Sequence, residues 1–260
     1  MNDLPEPMMG VGAAETVDKA LEQLRNEPRE RRWPNVRPRD AATLIILDRS
    51  GKTPKILMGR RHPSHKFMPN KYVFPGGRVD PQDRRMAVAG ILGADTEAKL
   101  LRRVQRPTIA RARALGLAAI RETFEETGLL IGTRENGSAA QPPAGPWADF
   151  AGHGVMPSLE PLHFLARAIT PPRRPKRFDA RFFVVEHTAI CDQVAGVVGP
   201  NSELIDLLWV TLAETQDMEL PVITRIVLDE LDEALGAGLS VRRPVPFYYE
   251  RNRQFTREFI

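Results

Sequence analysis

The chain has 260 residues, a length that suits one large domain with short extensions better than two independent domains. Hydrophobic residues make up 42% and charged residues 27%, an ordinary globular balance, and no apolar run approaches the roughly 18 residues of a membrane helix. The net charge is only +4, and the sequence contains no zinc-finger spacing, recognition helix or RNA-binding aromatic motif. The composition therefore does not favour a nucleic acid as partner, whereas the arginine-rich excess suits a small anionic substrate.

The first residues of the chain are acidic and are interrupted by Pro5 and Pro7, without the basic start and apolar run of a secretory signal. The single cysteine, Cys191, excludes an internal disulfide and a cysteine-based zinc site. These features favour a reducing, cytoplasmic location without membrane association.

The first predicted elements form a hairpin that follows a proline-rich N-terminal extension at residues 1–37. Residues 41–47 are continuously apolar and end in a turn cluster, which predicts a strand, and residues 55–60 predict its partner. A shorter segment at residues 71–74 then leads to Gly76 and Gly77. We therefore expect the glycine pair to lie after a short strand, close to this hairpin.

The remaining predicted elements are a mixture of helices and strands. Sequence patterns predict helices at residues 95–104, 108–127 and 222–235, strands at residues 161–169, 181–186 and 204–210, and a long irregular loop at residues 133–157. Thr108 and Gly128 are residue types expected at the two ends of the second helix. The predicted organisation is the N-terminal extension, an α/β domain at residues 38–236 with an insertion at about residues 81–108, and a C-terminal tail at residues 237–260 that packs on the domain.

Three glutamates lie on one face of the helix predicted at residues 108–127. Glu122, Glu125 and Glu126 project within about 100° of one another because they are three and four residues apart. By itself such a run is more typical of a solvated helix face, by roughly two to one. The alternative is a site for Mg²⁺ or Mn²⁺, since clustered carboxylates repel one another unless a cation lies among them.

A glycine pair upstream overturns this preference. Residues 74–77, Phe-Pro-Gly-Gly, followed by residues 121–129, Arg-Glu-Thr-Phe-Glu-Glu-Thr-Gly-Leu, resemble the Nudix box, the signature of Nudix hydrolases. The second segment matches the box at every position except Thr123, where the family has an aliphatic residue. The resemblance implies an α/β/α sandwich with a mixed β-sheet, in which the box forms a strand, a loop and a helix.

The first half of the box departs from the family pattern. In the box, a glycine is followed by five residues, a glutamate, seven residues and an arginine, but 43 residues separate Gly77 from Arg121. The roughly 30 additional residues predict a long insertion inside the box. Counting back from Arg121 places Arg113 where the glutamate is expected. The candidates to replace this glutamate are Asp80, Asp83 and Glu97.

The resemblance also implies an activity, the attack of water on a diphosphate linkage with the help of Mg²⁺ or Mn²⁺. The implied site residues are Glu122, Glu125 and Glu126 as metal ligands, Gly76 and Gly77 beside the metal and substrate, and Arg121, which would hold Glu125 in place. The general base is left open between Glu122 and Glu203. Arg60 and Arg61 are candidates to bind substrate phosphates, with about even odds that they are solvated surface residues.

Long insertions of this kind occur in a branch of the family related to peroxisomal coenzyme A diphosphatases. Segments at residues 39–42, 177–183 and 244–248 also resemble that branch. The sequence therefore favours coenzyme A or acyl-coenzyme A as substrate. An ADP-ribose or dinucleotide pyrophosphatase remains an alternative, as does a non-catalytic nucleotide-binding or RNA-binding module. The extension and the basic, aromatic tail are candidates for a contact between two copies, so a homodimer is also considered.

Overall fold

The computed structural model describes residues 33–64 and 69–260, so most of the predicted N-terminal extension lies outside the described residues. The strands are β1 (Arg39–Asp48), β2 (Lys55–Arg61), β3 (Tyr72–Val73), β4 (Gly76–Arg78), β5 (Leu129–Thr133), β6 (Met156–Pro157), β7 (His163–Ile169), β8 (Phe178–Glu186), β9 (Ile190–Gln193), β10 (Leu204–Thr211), β11 (Pro246–Arg251) and β12 (Gln254–Phe259). The helices are α1 (Ala94–Leu101), α2 (Ile109–Thr127), α3 (Pro146–Gly152) and α4 (Val222–Gly236), and short 3-10 turns lie at Pro81–Arg85, His187–Ala189 and Glu214–Asp217.

A mixed sheet has the strand order β10-β2-β1-β8-β7-β11-β12, with β3 paired to β2 and β4 paired to β1. At its centre, β1 is antiparallel to β2 and parallel to β8. Side chains alternate across β1, so Leu44 and Ile46 join the core that contains α2, whereas Ile45 and Leu47 join the core that contains α4. The two helices therefore cover opposite faces of the sheet, and the predicted α/β/α sandwich is confirmed. A smaller sheet has the order β6-β5-β9.

Helix α2 begins and ends where its capping residues predict. The Thr108 hydroxyl accepts a hydrogen bond from the N–H of Arg111 at 3.2 Å, and Gly128 closes the helix with a left-handed φ of 77°. Leu117 and Ile120 are fully buried in the core of the domain. With this face fixed, the last turn of α2 lies against β4, where the glycine pair is.

Two predictions of secondary structure were wrong in extent, and no element was predicted for the C-terminal tail. The helix predicted to reach residue 104 ends at Leu101, because Arg102 is extended and Arg103 has a φ of 55°. The loop predicted at residues 133–157 contains α3 and β6. The C-terminal tail forms β11 and β12, and β11 pairs in parallel with β7 of the main sheet. The division of the chain at residue 237 stays a prediction.

Helix length also bears on membrane association. Among the described residues, no helix has both the length and the apolar character needed to cross a bilayer.

Candidate active site

Strand β4 places two glycines against the end of α2. A Cβ atom on Gly77 would lie 2.4 Å from Cδ of Glu122, and a Cβ atom on Gly76 would lie 2.6 Å from the carbonyl oxygen of Ala42. Any other residue at either position would force its neighbours to move, so glycine is required for this close approach. The N–H of Gly76 also donates a hydrogen bond to Oε2 of Glu126 at 3.2 Å. The backbone of β4 therefore contacts two of the three predicted metal ligands.

Arg121 lies at the centre of the site, with only 8% of its side chain exposed. Its Nη1 donates to Oε1 of Glu122 at 2.8 Å and to Oε1 of Glu125 at 2.6 Å. Its Nε and Nη2 donate to the two carboxylate oxygens of Asp83 at 2.8 and 3.2 Å, and Nη2 also donates to the carbonyl oxygen of Arg78 at 2.8 Å. Burial alone lowers the pKa of Arg121, but the surrounding carboxylates, Asp83 foremost, outweigh burial and raise it. Arg121 is thus a permanently charged group that holds three carboxylates in place.

Asp83 is fully buried and is surrounded by hydrogen-bond donors. Besides Arg121, its Oδ1 accepts from the indole N–H of Trp147 at 2.9 Å, and its Oδ2 accepts from the backbone N–H of Asp80 at 2.7 Å. A buried carboxylate needs such partners to remain charged. Trp147 belongs to α3 and packs edge-on against Phe150, and both rings are fully buried. Trp147 therefore orients the carboxylate of Asp83 from inside the core.

The three predicted metal ligands differ in their exposure. Glu125 has 37% of its side chain exposed and Glu122 has 19%, whereas Glu126 as a residue is 6% exposed. Burial raises the pKa of Glu122, although Arg121 opposes the shift. Burial, followed by the negative charges of Glu203 and Glu122, holds the pKa of Glu126 well above its usual range. This helix face is therefore not a fully solvated surface, because Glu126 is buried and Glu122 is half-buried.

The structure also brings Glu203, the second candidate for the general base, towards this cluster. Its charge is close enough to Glu126 to raise the pKa of that residue. Its Oε1 accepts a hydrogen bond from Nη2 of Arg61 at 2.7 Å, and the Arg61 side chain is 16% exposed. The Nε atoms of Arg60 and Arg61 are buried and have no hydrogen-bond partner among residues 33–64 and 69–260. Both arginines are half-buried at the end of β2, and Arg61 carries its charge to the edge of the carboxylate cluster.

Comparisons with known proteins identify relatives in sequence and in fold. No family model matches the chain. A curated nudix hydrolase of Caenorhabditis elegans is 28% identical over an alignment of 199 residues that covers 69% of this chain, and the chain spans about half (53%) of that relative's length. The crystal structure of a NUDIX hydrolase from Alicyclobacillus acidocaldarius has 27% identity and a TM-score of 0.53, over 77% of this chain and 96% of that chain. The chain is thus similar to Nudix hydrolases in both sequence and fold.

Asp83 stands where the glutamate of the Nudix box is expected when the spacing is counted forward from Gly77. Five residues separate Gly77 from Asp83, as in the box, and the Asp83 carboxylate binds the box arginine Arg121. We therefore place the start of the insertion after Asp83 and not at residue 81. Arg113, which counting back had placed at the glutamate position, instead donates a hydrogen bond to the carbonyl oxygen of Met86.

The other two candidates for the displaced glutamate do not contact Arg121. The Asp80 carboxylate accepts from the N–H of Gln82 at 2.8 Å and caps the 3-10 turn that carries Asp83. Glu97 lies on α1, and its side chain forms no hydrogen bond with the site residues that the structure describes.

Two further residues of the candidate site have local explanations. Thr123 is fully buried at the aliphatic position of the box, and its hydroxyl donates to the carbonyl oxygen of Ala119 at 2.8 Å, which removes the cost of a buried polar group. The role of Trp147 was missed in the sequence, because a tryptophan in a glycine- and proline-rich segment carries no signal for a contact 64 residues away.

Proposed function

We propose that this chain hydrolyses a diphosphate linkage in a nucleoside diphosphate-X substrate, with Mg²⁺ or Mn²⁺ held by Glu122, Glu125 and Glu126. The observation that carries the proposal is the set of contacts around Arg121, which fixes Glu122 and Glu125 beside the buried Glu126. Negative charge concentrated at a buried helix end is stabilised by a cation or a proton. This arrangement favours a metal-dependent enzyme over a binding module without catalysis.

The donor atoms fit a hard divalent cation. Glu122 and Glu125 each use Oε1 for Arg121, and Glu126 uses Oε2 for the N–H of Gly76. The second oxygen of each carboxylate lies outside these bonds, and carboxylate oxygens are the ligands that Mg²⁺ and Mn²⁺ prefer. Among the described residues, no three acidic, histidine or cysteine side chains already converge on one point as a cation site. Binding of all three carboxylates to one cation would therefore require their side chains to move towards one another.

The catalytic roles follow from the positions of the charged groups. When bound, the divalent ions supply neutralisation of the diphosphate charge and a more acidic water. Arg60 and Arg61 supply guanidinium groups that suit phosphate oxygens, and a phosphate beside Arg61 would compete with Glu203 for its Nη2. A Glu203 carboxylate released in this way would be available to accept a proton from water. Glu122 remains the other candidate for the base.

The substrate that the sequence favours is coenzyme A or acyl-coenzyme A, with ADP-ribose and dinucleotides as the second candidates. The partner is a small nucleotide-type molecule rather than a nucleic acid, and the cytoplasmic location and the homodimer remain predictions. A substrate panel separates these possibilities: release of 3′,5′-ADP identifies coenzyme A, whereas release of AMP identifies ADP-ribose or a dinucleotide. No turnover of any diphosphate by the folded protein with Mg²⁺ or Mn²⁺ would refute the proposed activity.

The metal ligands are tested by Glu125→Gln, with Glu97→Gln as the matched control. We expect Glu125→Gln to abolish turnover and to weaken Mn²⁺ binding measured by electron paramagnetic resonance, while the circular dichroism spectrum stays unchanged. Glu97→Gln makes the same chemical change on α1 and should leave both readouts at the wild-type level. Near-normal activity in Glu125→Gln would place the metal site elsewhere.

The general base is tested by Glu203→Gln. If Glu203 is the base, kcat falls by roughly 10²- to 10⁴-fold while Mn²⁺ affinity is unchanged. If kcat is retained, Glu122 is the base.

A further inference from the structure

A cleft of about 380 Å³ lies beside the glycine strand, and its lining includes Arg39, Arg78 and Arg84. We call it the arginine cleft. Within the described residues, none of these three guanidinium groups donates a hydrogen bond or forms an ion pair. Nearby arginines behave differently, since Arg111 and Arg121 are fully engaged with carboxylates. The arginine cleft thus contains positive charge that the fold itself does not use.

The acidic residues of the arginine cleft do not neutralise this charge. Asp40 is held by Nε and Nη2 of Arg111 at 2.7 and 2.8 Å and by Nη1 of Arg181 at 3.0 Å. Asp80 accepts from a backbone N–H as the cap of the 3-10 turn. Besides Asp40, the lining of the cleft contains one carboxylate and three guanidinium groups without a partner among the described residues, which leaves the cleft positively charged. Guanidinium groups bind phosphate oxygens through paired hydrogen bonds, so a phosphate is the ligand that this charge suits best.

The arginine cleft lies next to the candidate active site along the chain. Arg78 directly follows Gly77, whose α-carbon lies against the Glu122 carboxylate. The carbonyl oxygen of Arg78 also accepts a hydrogen bond from Nη2 of Arg121. Arg84 directly follows Asp83, which holds the same arginine. The arginine cleft and the carboxylate cluster are therefore connected through the backbone of β4 and through the 3-10 turn that carries Asp83.

We propose that the arginine cleft binds a phosphate monoester of the substrate, separate from the diphosphate that is cleaved. This inference rests on the proposed function. A phosphate monoester carries a charge of about −1.5 to −2 at pH 7, which is more negative than the charge of a carboxylate. It therefore suits three guanidinium groups better than a carboxylate ligand does. The cleft would thus select nucleotide substrates with an additional phosphate on the ribose over those without one.

The test compares substrates that differ by this one phosphate: coenzyme A with dephospho-coenzyme A, and NADPH with NADH. We expect kcat/KM to favour the phosphorylated member of at least one pair by tenfold or more, mainly through KM. The double variant Arg78→Gln/Arg84→Gln should remove this preference and leave kcat/KM for the unphosphorylated member within about twofold. Arg85→Gln, on the same 3-10 turn but outside the cleft lining, is the matched control and should keep the preference.

Direct binding separates this inference from the proposed activity. Calorimetric titration without metal should show adenosine 3′,5′-bisphosphate or adenosine 2′,5′-bisphosphate binding at least tenfold more tightly than adenosine 5′-monophosphate, and the double variant should remove the difference. Equal binding of all three nucleotides by the wild type would overturn the inference even if diphosphates are hydrolysed. A tenfold difference without any hydrolysis would support the cleft and refute the activity. If the double variant weakens the binding of an oligoribonucleotide but not the binding of the bisphosphates, the cleft is a nucleic-acid surface and the inference is wrong.

Discussion

Asp83→Asn is the substitution that most directly tests how the site is held together. The change keeps the shape of the side chain but removes the negative charge that faces Arg121. The carboxylate of Asp83 accepts hydrogen bonds from Arg121, from the indole N–H of Trp147 and from the backbone N–H of Asp80. An amide has only one acceptor oxygen, so its NH₂ group must face at least one of these donors.

The expected magnitude follows from the burial of the pair. Arg121 has 8% of its side chain exposed and Asp83 has none, so the guanidinium cannot recover its solvation when the charge opposite it is lost. Removing one partner of a buried ion pair costs about 3–5 kcal/mol. Glu122 and Glu125 still bind Arg121, which places the expected loss near the lower end, about 3 kcal/mol. For a domain of this size, that loss corresponds to a Tm lower by roughly 6–12 °C.

The assay is thermal unfolding followed by circular dichroism, together with diphosphate hydrolysis at a temperature where the variant is folded. We expect hydrolysis to fall at least tenfold as well, because a displaced Arg121 no longer fixes the carboxylates of Glu122 and Glu125. Asp149→Asn is the matched control, since Asp149 is exposed on α3 and should change Tm by less than 2 °C. A Tm for Asp83→Asn within 2 °C of the wild type would refute the role assigned to Asp83.

Two further predictions use the glycine pair and a helix on the other face of the sheet. Gly77→Ala places a methyl group against the movable end of the Glu122 side chain, so we expect activity to fall at least tenfold with little change in Tm. The methyl group of Gly76→Ala would instead lie 2.7 Å from the α-carbon of Thr43, and because backbone cannot move easily, we expect Tm to fall by several degrees. The opposite ranking of the two Tm values would contradict this geometry. Burial, followed by neighbouring carboxylates of α4, raises the pKa of Asp229 from 3.8 to about 6. Between about pH 4 and pH 6 the native state therefore keeps a proton that the unfolded chain loses, so the free energy of unfolding falls as pH rises. Because Asp229 is only half-buried, we expect Asp229→Asn to stabilise the protein by only about 1 kcal/mol at pH 7 and by almost nothing at pH 4. Urea denaturation at both pH values measures this difference, and equal effects at the two pH values would refute it.

The parts of the fold that the sequence predicted correctly are those with local causes. The continuous apolar run of β1 and the capping residues Thr108 and Gly128 of α2 act over a few residues, so a single sequence reveals them. The strands β11 and β12 were missed because their charged and aromatic side chains lack a clear alternation, and pairing with β7 is what defines them. Helix α3 was missed for a similar reason, since its glycine- and proline-rich surroundings favour a loop.

The carboxylate helix shows where local reasoning reaches its limit. The spacing of Glu122, Glu125 and Glu126 places them on one face, but spacing alone gives no measure of burial. Glu126 is 6% exposed because β4 packs across the end of α2, a contact made possible by two glycines about 50 residues earlier. The resemblance to the Nudix box supplied that connection, and the distances around Gly76 and Gly77 give its physical basis.

The insertion inside the box is tolerated because the box depends on contacts in space rather than on spacing along the chain. Asp83 and Arg121 are 38 positions apart, yet two hydrogen bonds join them. The carbonyl oxygen of Arg78 accepts a third hydrogen bond from Arg121. The far end of the inserted segment is also fixed, since Arg167 donates to the carbonyl oxygens of Arg102 and Arg103. With both ends held, a longer connecting segment adds little entropic cost, because loop-closure entropy grows only logarithmically with length. The same reasoning explains why counting back from the arginine missed Asp83, while counting forward from the glycine, on the near side of the insertion, finds it.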